Sequence, residues 1–374
     1  MLKKSFISIV VVLISLLIIN SLDFETSQKN QVSKTSASPN EPDTLDSISE
    51  LSIQLDSTDT QISDTTSVRC LPQVEEPGID ELQLLNKRVL HSEAFEFQQV
   101  SALVGLEEMI NPQNYSDNKH NKRINKLSAL LEIHPENKLI SYHLMAVCSE
   151  NPENANCSVE KISQAIALDS ANGALWGKIA AIYIVQENYI AAQNAFKQSA
   201  STPTFDDYRV ERLSLFRETI LQAGVRSGTA LLTALSYEAA MPFFGINKVF
   251  DYCTDFSLSQ ADIAQACLAY GKRMEEDGNS FLTIAFGLTT QRLVFESLRD
   301  EGSTLKVNLR YKAANEQFRE NHFKHIALLK YDQSYQDYWF LTMSNYNEIA
   351  ALKLQNTEAE RLLSDADYKF CSDN

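Results

Sequence analysis

Residues 139–172, LISYHLMAVCSENPENANCSVEKISQAIALDSAN, and residues 173–206, GALWGKIAAIYIVQENYIAAQNAFKQSASTPTFD, repeat one pattern of large and small side chains. The second segment sets Trp176, Ile179, Ala180, Tyr183, Tyr189, Ala192, Phe196 and Ser199 at spacings of three and four residues, which places them on helix faces. In the first, Tyr142, Met145, Ala146, Ile162 and Ala165 stand where Trp176, Ile179, Ala180, Phe196 and Ser199 stand in the second. Bulky knobs facing small residues are what two antiparallel helices need for close approach. One such pair cannot bury its apolar stripe alone, so each needs a stacked neighbour. The fold class read from this stretch is all-α, built of stacked antiparallel helical hairpins.

The pattern resembles the tetratricopeptide repeat, a helix pair of about 34 residues with Trp, Leu, Gly and Tyr on its first helix and Ala, Phe and Ala on its second. The junction at residues 168–173 is similar to that family's inter-repeat turn, with Ser170 where proline is usual. Ala180 replaces the family's glycine, and Pro203 comes one place early. The resemblance implies a solenoid in which the first helix of each repeat lines a concave groove. Carried over, those positions are Ile140, His143, Val147 and Glu150 in one repeat and Ala174, Gly177, Ala181 and Ile184 in the next. The basic and amide side chains that clamp a peptide carboxylate in some family members are missing here. What remains is an apolar groove with one histidine, suited to an amphipathic helix or an extended apolar peptide, or else filled by the chain's own segments.

Outward from the repeats, the 374 residues divide by composition. Lys3 and Lys4 precede an uncharged apolar run, residues 5–22, whose 18 residues just meet the length of a membrane-spanning helix. The two lysines favour a cytoplasmic amino terminus, which puts the body in the periplasm or outside. A cleavable signal, releasing an exported soluble form, is the competing reading. Residues 23–79 turn to Ser, Thr, Asp, Glu, Gln and Asn, too few apolar groups to offset ordering entropy, and read as a disordered tether. Within it Leu45, Ile48, Leu51 and Leu55 fall near helical spacing. The tether holds 11 acidic against 3 basic residues, half of the chain's net charge of −16. The remaining acidic body, residues 80–374, does not suit nucleic acid as a partner, because that binding rests on basic phosphate contacts.

Six cysteines fit an exported chain. Cys148 ends the first helix of a hairpin and Cys157 opens the second across a tight turn, so the two face each other. Cys253 and Cys267 repeat the arrangement around residues 255–259, leaving Cys70 and Cys371 to pair, stay free or join a second molecule. The spacings fit neither a Cys-x-x-Cys redox pair nor a zinc finger.

Helices are expected at 81–94, 97–110 and 122–134 before the repeats, and at 205–223 and 229–240 after them. Others follow at 245–255, 259–276, 280–300, 305–322, 326–331, 335–354 and 358–368. No phosphate-binding glycine loop, nucleophile elbow or His-Glu-x-x-His helix occurs, and no cofactor is implied. His322 and His325, three apart, are read as boundary residues of a helix rather than ligands. Glu107–Glu108, Asp206–Asp207 and Glu275–Glu276 are read as solvated faces, and the Tyr331, Tyr335, Tyr338, Trp339 and Phe340 cluster as packing. The expected function is a membrane-tethered, envelope-facing adaptor or assembly factor that binds a protein or peptide. An enzyme with its site in the carboxyl-terminal helices, or a disulfide-linked structural protein, are the alternatives.

Overall fold

Several helix starts in this chain are set by side chains that accept hydrogen bonds from the first free backbone N–H groups. Asn137 accepts from the N–H of Ile140 at 2.9 Å, Asn172 from Ala174 at 3.0 Å and Asn188 from Ala191 at 3.2 Å. Such caps are worth about 1 kcal/mol each. The computed structural model describes residues 79–107, 119–322, 324–365 and 368, which form sixteen α-helices with no strand among the described residues. The segment 5–22, the tether up to residue 78, Cys70 and Cys371 lie outside the described residues. Among the described residues no helix is long and apolar enough to cross a membrane.

The elements are α1 (Ile79–His91), α2 (Phe95–Val104), α3 (Lys119–Ile133), α4 (Lys138–Cys148), a 3-10 turn (Ala155–Cys157), α5 (Val159–Asp169), α6 (Gly173–Val185) and α7 (Tyr189–Ser201). They continue as α8 (Arg209–Gln222), α9 (Ser227–Ala239), α10 (Ile246–Ser257), α11 (Ala261–Asp277), α12 (Phe281–Ser297) and α13 (Glu301–Asn321). The last are α14 (Ile326–Tyr331), α15 (Gln333–Asn345) and α16 (Glu348–Ser364).

The order of packing departs from the order of the chain. The helices α3, α4, α6 and α7 pack in succession, but α7 then meets α11 rather than α8, and α12 and α13 follow. Between them the chain makes a detour. The α8–α9 pair lies against α2, α14 and α15, and α10 touches α6, α11 and α12. The loop before α6 and the loop after α7, 34 residues apart in the chain, are tied to each other. Asn172 donates its amide to the carbonyl of Asp206 and accepts from the N–H of Asp206, both at 2.9 Å. Beside it, Gly173 N–H donates to the carbonyl of Thr204 at 2.8 Å.

The break expected between 354 and 358 falls earlier, at 346–347. Instead of running through 335–354, α15 stops at Asn345, and Asn347 caps α16 by accepting from Ala350 N–H at 3.0 Å. The N–H of Glu348 donates to the Asn279 carbonyl at 2.8 Å, so the break fastens α16 to the start of α12. The expected helix 97–110 is interrupted after Val104, where Gly105 turns left-handed with φ of 76°, and its residues 108–110 lie outside the described residues.

Both expected disulfides are formed. Cys148 and Cys157 lie 5.5 Å apart between Cα atoms, and Cys253 and Cys267 5.9 Å. Cys157 closes the 3-10 turn rather than opening α5, which Ser158 precedes. Loops this short contribute on the order of 2 to 3 kcal/mol each in the chain-entropy account.

Candidate functional site

The groove-lining positions come together, but the groove is not open. Ile140, His143, Val147, Ala174, Gly177 and Ala181 are buried, Ile184 is partly buried, and Glu150 alone is exposed. What covers them is this chain. Tyr208 packs its ring 5.5 Å from Tyr142, and Arg212 of α8 reaches His143. The segment 241–245 crosses α4 and α6, where Lys178 donates to the Phe244 carbonyl at 3.2 Å and Gly245 N–H donates to the Glu150 carboxylate at 3.0 Å. Gly245 adopts φ of 79°, and a Cβ there would lie 2.8 Å from Ala181. From the other side Tyr270 of α11 presses its ring on Gly177, where a Cβ would lie 2.3 Å from the tyrosine oxygen. The groove is thus filled by the chain's own segments, the second of the two states its sequence allows.

At the centre of this filling is a buried charge. Arg212 donates through Nε to Glu238 at 2.8 Å, through Nη2 to the same carboxylate, and through Nη1 to the Asp207 carbonyl. Its Nη1 also lies 3.1 Å from His143 Nε2. A guanidinium can only donate, so that ring nitrogen accepts and the imidazole proton sits on Nδ1. Burial holds His143 well below the ordinary histidine range, and Arg212, Lys178 and Arg123 add to the effect. Burial opposes the charge on Arg212 too, but the Glu238 carboxylate outweighs it and keeps the guanidinium ionised. Lys178, half-buried over the Tyr142 ring at 5.8 Å, is brought down to about 8 by burial and by Arg212, against the pull of Asp207 and Glu150.

The residues between α7 and α8 make this possible. Asp206 accepts from Tyr208 N–H at 2.8 Å and from Asn279 at 3.1 Å, while Asp207 accepts from Arg209 N–H at 3.1 Å and from Thr283 at 2.9 Å. Burial raises Asp206, and the neighbouring Asp207 raises it further. These two acids are not a solvated face, as expected, but the joint between α8 and the start of α12. Tyr208 enters α8 left-handed, with φ of 58°, a conformation costly for a bulky side chain and held by its hydroxyl bond to Asp169 at 2.6 Å. A second joint pairs Arg209 with Glu348 at 2.7 Å, both largely buried, and Glu348 accepts from Phe281 N–H at 2.7 Å.

Chemically, these groups are directed at one another and at main-chain carbonyls. The Arg212 centre works as a latch that holds α8 across α4. Sequence reading missed Arg212 and Glu238 because an arginine and a glutamate 26 residues apart carry no local pattern. The one available signal was Arg212 falling one residue before Leu213, on the apolar face of α8.

His322 and His325 flank the break between α13 and α14 rather than sharing a helix face. His322 stacks 4.4 Å from Phe318, and burial, with Arg209, brings it down to about 4. Tyr335 and Trp339 are buried, with the Tyr335 hydroxyl donating to the Gln355 carbonyl at 2.9 Å. Glu275 is engaged by Arg310 at 2.7 Å. Among the described residues no group of three or more His, Cys, Asp or Glu is placed to hold a metal ion. No family model, curated protein or solved structure matches the chain.

Proposed function

We propose that the chain is a membrane-tethered, envelope-facing helical-repeat protein that mediates protein–protein interaction as an adaptor or assembly factor. The observation that carries the reading is the clasp of Asn172 on Asp206, because its 34-residue separation equals the tetratricopeptide-like period and the asparagine caps the first helix of a repeat. Scaffolds of this kind act through extended surfaces rather than a deep catalytic cleft. The two stapled hairpins support placement of the body outside the cytoplasm, where disulfides persist. Since the inner groove is occupied, a partner meets the outer surface of the helices.

Two measurements test this. Thiol mapping of native protein should find Cys148, Cys157, Cys253 and Cys267 all protected; reduced cysteines at these positions remove the envelope placement. Capture of the anchored protein after mild crosslinking should return the same envelope protein in independent preparations. Recovery of none removes the adaptor role.

A further inference from the structure

Five of the large apolar side chains left exposed on the described surface stand along one edge. Tyr189 at the start of α7 packs 4.7 Å from Phe256 near the end of α10, and Ser297 at the end of α12 donates to the Thr254 carbonyl at 2.6 Å. The starts of α7, α11 and α13 and the ends of α10 and α12 therefore share one edge of the α7–α11–α12–α13 layer. Along that edge stand Ile190, Leu258, Leu298, Leu305 and Leu309, from 39% to 77% exposed. Leu305 and Leu309 lie one turn apart on α13, whose buried apolar side chains are Val307 and Phe318. Scattered exposed leucines need no explanation, but a row along adjoining helix ends marks an interaction surface.

Charge decides the occupant. The exposed acids on this edge are Glu187, Asp255, Asp262, Glu296, Asp300 and Glu301, against the exposed bases Arg299, Lys306 and Arg310, the last of them paired with Glu275. Glu296 is engaged by Arg292, and Asp300 caps α13 through Ser303 N–H at 3.0 Å, which leaves four acids without such a bond on the helices flanking the leucines. An anionic lipid surface would be repelled by this edge, and so would the same edge of a second copy. We infer that this rim binds a cationic amphipathic helix of a partner protein, its apolar face on the leucine row and its lysines or arginines against the flanking carboxylates. The inference rests on the protein-binding reading above and supplies the chemistry of the partner.

The test uses full-length protein in detergent and three fluorescent 18-residue peptides followed by anisotropy: a Leu/Lys amphipathic helix, a Leu/Glu helix of the same pattern, and a scrambled Leu/Lys sequence. The Leu/Lys helix should bind, weaken as salt rises, and exceed both controls. Leu305→Ser with Leu309→Ser should weaken it about ten-fold, and Asp255→Asn with Asp262→Asn should weaken it and flatten its salt dependence. Glu132→Gln with Glu153→Gln, an equal charge change on exposed residues elsewhere, should leave it unchanged. Circular dichroism checks that each variant folds. Equal binding of the scrambled peptide, or equal loss in the Glu132/Glu153 variant, overturns the inference as general attraction to an acidic protein. Absence of Leu/Lys binding overturns it as well. Should crosslinking still capture the same envelope protein with Leu305→Ser/Leu309→Ser as with wild type, the adaptor reading stands and only this rim is excluded.

Discussion

The α6–α7 and α8–α9 pairs are hairpins of similar length that follow one another in the chain, yet they are used in opposite ways. The first carries alanine and glycine on its inner face, so neighbours approach closely and α7 continues into α11. The second carries Arg212, a charge that cannot be buried without a partner, and finds one in Glu238 of α9. That pair lies inside the hairpin and joins α8 to α9, while Arg212 reaches outward to His143 of α4 and the hairpin docks on α2, α14 and α15 instead of lengthening the stack. The difference teaches that hairpins of similar length dock according to the faces they offer: small residues on α6 admit a neighbouring helix, while Arg212 and Glu238 satisfy each other within their pair and Arg212 meets α4 through His143.

The contrast breaks most sharply at Arg212. Arg212→Met leaves Glu238 buried without its partner and should cost about 3–5 kcal/mol in urea unfolding, with Arg212→Met/Glu238→Leu recovering part of it. A loss equal to that of a surface arginine would show that the latch does not hold the detour. Next come the staples, one in each region. Replacing Cys148 and Cys157, or Cys253 and Cys267, by serine should each lower stability by about 2–3 kcal/mol, the longer loop slightly more. A stability curve unmoved by reductant in the wild-type protein would contradict this.

Gly177→Ala tests the close-approach half of the comparison. Its Cβ would sit 2.3 Å from the Tyr270 oxygen, so a cost of about 1–3 kcal/mol is expected, partly relieved by Tyr270→Phe. The smallest effect is with pH. His143 and His322 are depressed in the folded chain, His322 to about 4, so the unfolded chain takes up these protons first as pH falls. Stability is present in full above about pH 6.5 and lost progressively as pH falls toward 4. His143→Gln should flatten the part of that loss belonging to the latch, and His322→Gln the part belonging to the carboxyl-terminal helices. An unchanged slope in both variants would reject the assignment.

The sequence was most legible where structure is local. The pairs Cys148–Cys157 and Cys253–Cys267 bridge turns short enough to be read from spacing, and the apolar period of 173–201 marks α6 and α7. It was misleading where a long-range bond competes with helix period. Nothing between 335 and 354 forbids one helix, and the break at Asn347 exists because Glu348 bonds the Asn279 carbonyl and Arg209. Most of the proposed groove positions, Ile140, His143, Val147, Ala174, Gly177 and Ala181, are buried under other parts of the chain. Their covering was not legible, because Tyr208, Arg212, Phe244 and Tyr270 come from three other parts of the chain.

By itself the sequence determined that this body is helical, where most of its helices begin, and which cysteines staple it, because caps, turns and apolar period act over a few residues. Only the tertiary structure decided that α7 meets α11, that the faces of α4 and α6 are covered by Tyr208, Arg212, residues 241–245 and Tyr270, and that leucines and acids from separate helices share one rim. Those outcomes depend on which surfaces satisfy buried charge and apolar area across long separations, and no local pattern encodes that choice.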